Sequence, residues 1–372
     1  MLILFTLSTL LVLTSGLATW KSEPQSGDIP GPRSNAGMAK IGGGLYVFAG
    51  YLQCPESDFC ATEFYNDVYR YDFQDNSWTK PILTSVAAPS NRTFFPYVTD
   101  TKTRSFILFG GLIFNLPSVT VFGDLWRYHA KTNSWAELAQ YNEGPGQRAG
   151  SGMVLNENKL YVGFGIDETV FGPNAAHNDL WSFDLTTGLW TLLVPDNSSN
   201  PNQPFRRYRP AMQLDDKREK IIVFSGDMAI GDPVETVNDT WSYDISSGKW
   251  TFLNNNAVPL GNRQDAVSTV YKKTFYLMFG DTETDTGRCE NNITGAGNNP
   301  RNELFKCDLK DNPNEYDEFF TNNNPGKLMR SAFTRDDNKL YLWSGFHFPC
   351  NVPGNGTIVY ETGLFRLNLD NV

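Results

Sequence analysis

The sequence predicts an all-β fold in which six four-stranded antiparallel sheets stack radially into a closed ring. Three observations predict it. An apolar run that stops at a glycine recurs six times, at Gly50, Gly110, Gly165, Gly226, Gly280 and Gly345. A second β-type run follows each, starting at Asp67, Asp124, Asp179, Asp239, Glu303 and, in the last copy, Gly363. A further run is marked by Trp78, Trp135, Trp190 and Trp250, with Tyr316 as a degenerate fifth. No window carries the apolar period of a helix.

The clearest copy runs from Asn156 to Leu193. A polar turn, Asn156-Glu157-Asn158, leads into Leu160-Tyr161-Val162-Gly163-Phe164 and the stop at Gly165. After a loop come Asn178-Asp179-Leu180-Trp181-Ser182-Phe183-Asp184, the short turn Thr186-Thr187-Gly188, and Trp190-Thr191-Leu192-Leu193. Upstream of each glycine lies one more strand, introduced by Arg33, Arg92, Arg148, Arg209, Arg263 and, less well aligned, Arg330. A continuous apolar run suits a strand buried on both faces, and glycine at its end suits a left-handed exit. Four short strands cannot bury both faces alone, whereas twisted sheets packed around an axis can. The aromatic of the fourth strand then fits as a plug between neighbours.

These residues resemble the kelch repeat family and its β-propeller. The apolar run with its glycine exit, the Asn-Asp-x-Trp start of the third strand (Asn178 to Trp181, Asn238 to Trp241) and the downstream Trp carry the resemblance across residues 19–372, a single domain. Only Gly110-Gly111 keeps a paired glycine, and Tyr316 replaces Trp in the fifth copy. The sixth copy ends after its third strand, while Thr19-Trp20-Lys21 looks like Ser77-Trp78-Thr79 and stands as far from Arg33 as Trp135 stands from Arg148. The expectation is that a strand around Trp20 completes the last blade.

Residues 1–18 are uncharged, and Leu2 to Leu13 fit the apolar region of a cleaved signal peptide, with Gly16 and Ala18 as small residues before the cut. The segment is short for a membrane span. A secreted protein, or one resident in a secretory lumen, is therefore expected. Sequons at Asn91, Asn197, Asn292 and Asn355 are candidate glycosylation sites; a fifth, Asn238, falls in a tight turn. Cysteine usage fits an oxidising compartment. Cys54 and Cys60 share a loop and can close on each other; Cys289 and Cys350 lie in long loops of adjacent blades; connectivity stays open. Cys307 falls in a third strand and is expected as a free, buried thiol.

The net charge of −10 disfavours nucleic acid and anionic membrane surfaces. Connections between second and third strands are long and mostly acidic, and long loops on a rigid scaffold are where binding tends to reside. The second of them is apolar, with Ile113, Phe114, Leu116, Val119, Val121 and Phe122, and either forms a contact surface or folds over a neighbouring blade. By resemblance, Arg33, Arg92, Arg148, Arg209 and Arg263 form a ligand-binding ring for carboxylates at the channel mouth; alternatively each pairs with an acid of its own loops. Three histidines in separate places make no metal site, and neither a cofactor motif nor a catalytic constellation stands out. The reading is a non-catalytic recognition module, monomeric, binding a protein or glycan on the long-loop face. The alternative is a carbohydrate-active enzyme resembling the sialic-acid mutarotase type, with arginines on a sugar carboxylate.

Overall fold

The computed structural model describes residues 17–52, 62–115, 118–167, 175–215, 217, 219–228, 235–254, 263–280, 303–309, 312–326, 328–347 and 359–372. Six four-stranded units are arranged as blades around a channel. In blade 1 the strands run from the inner edge outward as Gly37–Ile41, Gly44–Phe48, Val68–Asp72 and Ser77–Thr79. Blade 2 has Tyr97–Asp100, Ser105–Asn115, Ser118–His129 and Ser134–Glu137. Blade 3 has Gly152–Asn156, Lys159–Gly163, Leu180–Asp184 and Leu189–Val194. Blade 4 has Ala211–Leu214, Lys220–Met228, Glu235–Asp244 and Lys249–Asn254. Blade 5 has Val267–Tyr271, Thr274–Met278, Leu304–Asp308 and Asn312–Phe319.

Blade 6 takes three strands from the C-terminal part of the chain, Ala332–Asp336, Lys339–His347 and Val359–Asn368. Its outer strand is Lys21–Ser22, with Lys21 opposite Arg366 and Ser22 opposite Phe365. The expected closure is present, one residue beyond Trp20. The chain then crosses to blade 1, where Ser26–Gly27 pairs in parallel with the outer strand. Ala18 is buried, and its carbonyl accepts a bond from the Asn322 amide. No helix among the described residues is long and apolar enough to cross a membrane.

Among the described residues the apolar core divides into seven clusters, six of them lying one at each blade interface. Each outer-strand aromatic reaches the preceding blade, where it meets an aromatic near the end of the second strand. The centroid distances are 5.9 Å for Trp78–Trp343, 6.4 Å for Trp135–Phe48 and 5.7 Å for Trp190–Phe109. They are 6.1 Å for Trp250–Phe164, 5.7 Å for Tyr316–Phe224 and 5.8 Å for Trp20–Phe279. Tyr316 thus fills the place of the missing Trp, and Trp20 supplies the sixth plug. Cys307 is buried at the interface of blades 4 and 5 and takes part in no disulfide.

The exit from the second strand explains why one glycine is kept and the other is not. Two successive residues there have positive φ. The first position holds Ala49, Gly110, Phe164, Ser225, Phe279 and Ser344 at φ between 55° and 65°, where other residues are tolerated. The second holds Gly50, Gly111, Gly165, Gly226, Gly280 and Gly345 at 90° to 120°. A Cβ on Gly165 would lie 2.9 Å from the Ala149 carbonyl oxygen. The equivalent of Gly165 in blade 2 is therefore Gly111, not Gly110.

Candidate functional site

The strand-one arginines build a girdle inside the fold. Arg33, Arg92, Arg148, Arg207 and Arg263 are each at most 2% exposed. One Nη1 donates to the carbonyl at the first exit position of its own blade: Ala49, Gly110, Phe164, Ser225 or Phe279. The same group meets the acid that opens the third strand, at 2.5 Å for Asp67, 2.6 Å for Asp124, 2.7 Å for Asp179 and 2.5 Å for Asp239. Arg263 reaches Glu303 at 3.3 Å. Where a Trp follows two residues later, its indole N–H also donates to that carboxylate, at 2.7 Å for Trp126 and Trp181 and 2.8 Å for Trp241. The Asp of the Asn-Asp-x-Trp phrase is therefore an anchor for Arg and Trp; Asn178 instead bonds Asn197 and the Pro204 carbonyl.

One expected member of the ring stands elsewhere. Tyr208 bridges Asp227 as Ser34 bridges Tyr51 and Thr93 bridges Leu112, so Arg207 and not Arg209 is the counterpart of Arg33. In blade 6, Met329 bridges Phe346, which puts the buried Leu328 at the arginine place. Gly363 stands where the acid would be, since Leu364 pairs with Trp343 as Val68 pairs with Phe48. The blade that lacks the cation lacks the anion too.

Two residues after the girdle position lies a second ring: Asn35, Phe94, Gly150, Arg209, Asp265 and Arg330. All six have left-handed backbone, with φ from 49° to 61°. All six line the mouth of the central channel, a cavity of about 450 Å³ walled by the inner strands. Here the repeats differ, while the girdle below them repeats. Arg209 donates to Asp265 at 2.9 Å and also bonds the fully buried Asp227. Burial alone would lower the Arg209 pKa, but Asp227 and Asp265 hold it well above its ordinary value. Arg330 donates to Asp265 at 3.0 Å and to the Tyr51 hydroxyl at 2.9 Å. Both guanidinium groups lie over the Phe94 ring, at 5.7 Å for Arg209 and 5.5 Å for Arg330.

An aromatic wall stands beside the ring. The apolar connection of blade 2 is a hairpin that continues both strands, and it folds over blade 1. Phe114 meets Tyr51 at 5.5 Å and Phe64 at 4.9 Å, while Leu112 and Val121 are buried with Ala149. Phe346 packs on Tyr360 at 5.6 Å on the blade 6 side.

The remaining candidates are dispersed. Asn91 is exposed and its side-chain amide donates to the Phe64 carbonyl at 2.7 Å. Asn197 is exposed. Asn292, Asn355, Cys54, Cys60, Cys289 and Cys350 lie outside the described residues, as do residues 1–16 of the expected signal peptide. Among the described residues no group of three His, Cys, Asp or Glu side chains is placed to hold a metal ion.

Comparison with known proteins agrees with this architecture. The profile of the KLHDC2/KLHL20/DRC7 Kelch-repeats domain matches residues 5–203, more than half of the chain. A protein of Thlaspi arvense named N-(sulfonatooxy)prop-2-enimidothioate sulfolyase is 27% identical over 70% of this chain and 73% of its own. Mei4-dependent protein 6 of Schizosaccharomyces pombe is 29% identical over 46% of this chain and 24% of its own. The Leucine-zipper-like transcriptional regulator 1 homolog of Drosophila melanogaster is 24% identical over 59% of this chain and 22% of its own. The chain thus spans less than a quarter of the latter two relatives.

Proposed function

The chain belongs to the Kelch-repeat family, and from that premise we propose that it is a secreted, non-catalytic binding module that engages a protein partner through the channel mouth on the long-loop face. One observation carries the reading. Every girdle arginine is already neutralised within its blade, while the six mouth positions carry five residue types, Arg recurring only at 209 and 330, on a repeated backbone conformation. A stabilising role favours repetition, and recognition favours varied residues on rigid backbone. Paired cations, a tyrosine hydroxyl and an aromatic wall form a concave surface of the kind that takes anchoring side chains.

The test is selective capture. Full-length protein, wild type and Phe94→Ala, is used for proximity labelling at its site of residence and on a glycan array. A control, Lys217→Ala, lies in a turn between first and second strands of blade 4. The expected result is loss of a defined protein partner in Phe94→Ala and retention in Lys217→Ala, with equal thermal midpoints. Equal capture by all three overturns the reading, and binding confined to the array makes the ligand a glycan.

A second reading is favoured by the name of the Thlaspi arvense relative, a sulfolyase similar over 70% of the chain. Under it, Arg209 and Arg330 steady an anionic small molecule at the same mouth. Turnover of an N-(sulfonatooxy) thioimidate by the purified chain would establish that reading in place of the first.

A further inference from the structure

Asp265 Oδ2 accepts from two guanidinium groups at once, Arg209 Nη1 at 2.9 Å and Arg330 Nε at 3.0 Å. The three residues stand at equivalent ring positions of blades 4, 5 and 6, so the aspartate sits between the two cations around the mouth. Asp227 takes the other amino group of Arg209. Two cations and two anions leave the mouth balanced in charge. Without Asp265, two nearly buried guanidinium groups would converge on one oxygen-sized place, the arrangement by which arginines grip a carboxylate.

A second feature concerns the cavity wall. Asn35 Nδ2, Arg209 Nε, Ser151 Oγ and Ser331 Oγ are buried and have no hydrogen-bond partner among the described residues. All four residues line the cavity. Buried donors left unmatched are costly, and a ligand offering acceptors recovers that cost on binding. A carbonyl-bearing, uncharged ligand does so. An acidic ligand finds the place between the arginines already taken and meets like charge.

We infer that Asp265 sets the charge preference of the mouth: it fills the anion seat between Arg209 and Arg330 with the protein's own carboxylate, and selects an uncharged, carbonyl-presenting segment of the protein partner. The inference rests on the binding-module reading, yet its test needs no partner. Wild type, Asp265→Ala and Asp265→Asn are titrated calorimetrically with glutarate and with its neutral isostere glutaramide. Wild type is expected to favour glutaramide. Both variants gain glutarate affinity by roughly ten- to hundred-fold, as two charge-assisted hydrogen bonds supply. Adding Arg330→Ala to Asp265→Ala removes the gain. A wild type that prefers glutarate, or variants that gain none, overturns the inference, whether or not one variant folds poorly, because the wild-type preference is read independently. Such a failure leaves the binding-module reading intact as long as Phe94→Ala still abolishes partner capture.

Discussion

Arg148 and Asp179 are joined by two hydrogen bonds, at 2.7 and 3.2 Å, in a place almost closed to water. The pair recurs in four other blades, and in blade 6 both members are absent together, replaced by Leu328 and Gly363. Paired loss is what a buried ion pair demands, because either partner alone would be an uncompensated charge. Arg148→Leu should therefore cost about 3–5 kcal/mol. The double variant Arg148→Leu/Asp179→Ala should cost clearly less than the two single changes added together. Urea unfolding of the four proteins in a cycle measures the coupling, and strict additivity would show that the girdle is not acting through charge.

The same girdle predicts an acid limit. Burial alone would raise the carboxyls of Asp239 and Asp124, but their bonds to Arg207 and Arg92 and to the indoles of Trp241 and Trp126 outweigh it. Both are held below the ordinary 3.8. A carboxylate depressed in the folded state contributes stability that is present above its unfolded pKa and is lost as pH falls below it. Unfolding midpoints should thus drop steeply below about pH 4. Asp239→Asn should be less stable at neutral pH yet lose less between pH 6 and pH 3. A variant as acid-sensitive as the parent would place the titrating groups elsewhere.

The blades were legible because their signals are local and repeated. A run such as Leu340 to Trp343, closed by Gly345, carries its own strand and exit. Ring closure was legible for a related reason: Trp20 stands at the right distance from Arg33. The mouth was harder to read. Arg206-Arg207-Tyr208-Arg209 offers several arginines in reach of one role, and strand register decides between Arg207 and Arg209. The contact of Asp265 with Arg209 and Arg330 joins residues 56 and 65 positions apart and depends on three left-handed backbones converging. No local pattern encodes that. The residue two places after the girdle position varies among the repeats, but so do its neighbours Ser34, Thr93, Ala149, Tyr208, Gln264 and Met329, so variation alone did not mark it.

Gly165 and Gly42 separate conformational strain from collision. Both have positive φ, 94° and 56°. A Cβ on Gly42 meets nothing within 4 Å, whereas on Gly165 it meets the Ala149 oxygen and Ser151 at 2.9 Å. Gly42→Ala should cost about 1 kcal/mol, the usual penalty of the left-handed region. Gly165→Ala should cost more than about 2 kcal/mol, because the blocked atom is backbone of the inner strand. Chemical denaturation of both variants checks the order, and equal costs would mean that the exit can yield.

Trp20 closes the ring, so its loss should be felt beyond its own blade. Its side chain is 1% exposed, packs on Phe279 of blade 5 and shares a core with Leu340, Leu342 and Leu367 of blade 6. The backbone beside it bonds Asn322 and pairs with Arg366 and Phe365. Trp20→Ala should cost about 3–5 kcal/mol, the range for emptying a buried aromatic site. Deleting Thr19 to Ser22 should cost more, because it also bares the edge of the third strand of blade 6. Hydrogen exchange distinguishes a latch from ordinary core packing. A latch predicts faster exchange at Leu340 to Trp343 and at Phe275 to Met278 on both sides of the seam, with blades 2 and 3 unchanged. An unchanged unfolding midpoint in the deletion variant would mean that the ring holds without its first strand.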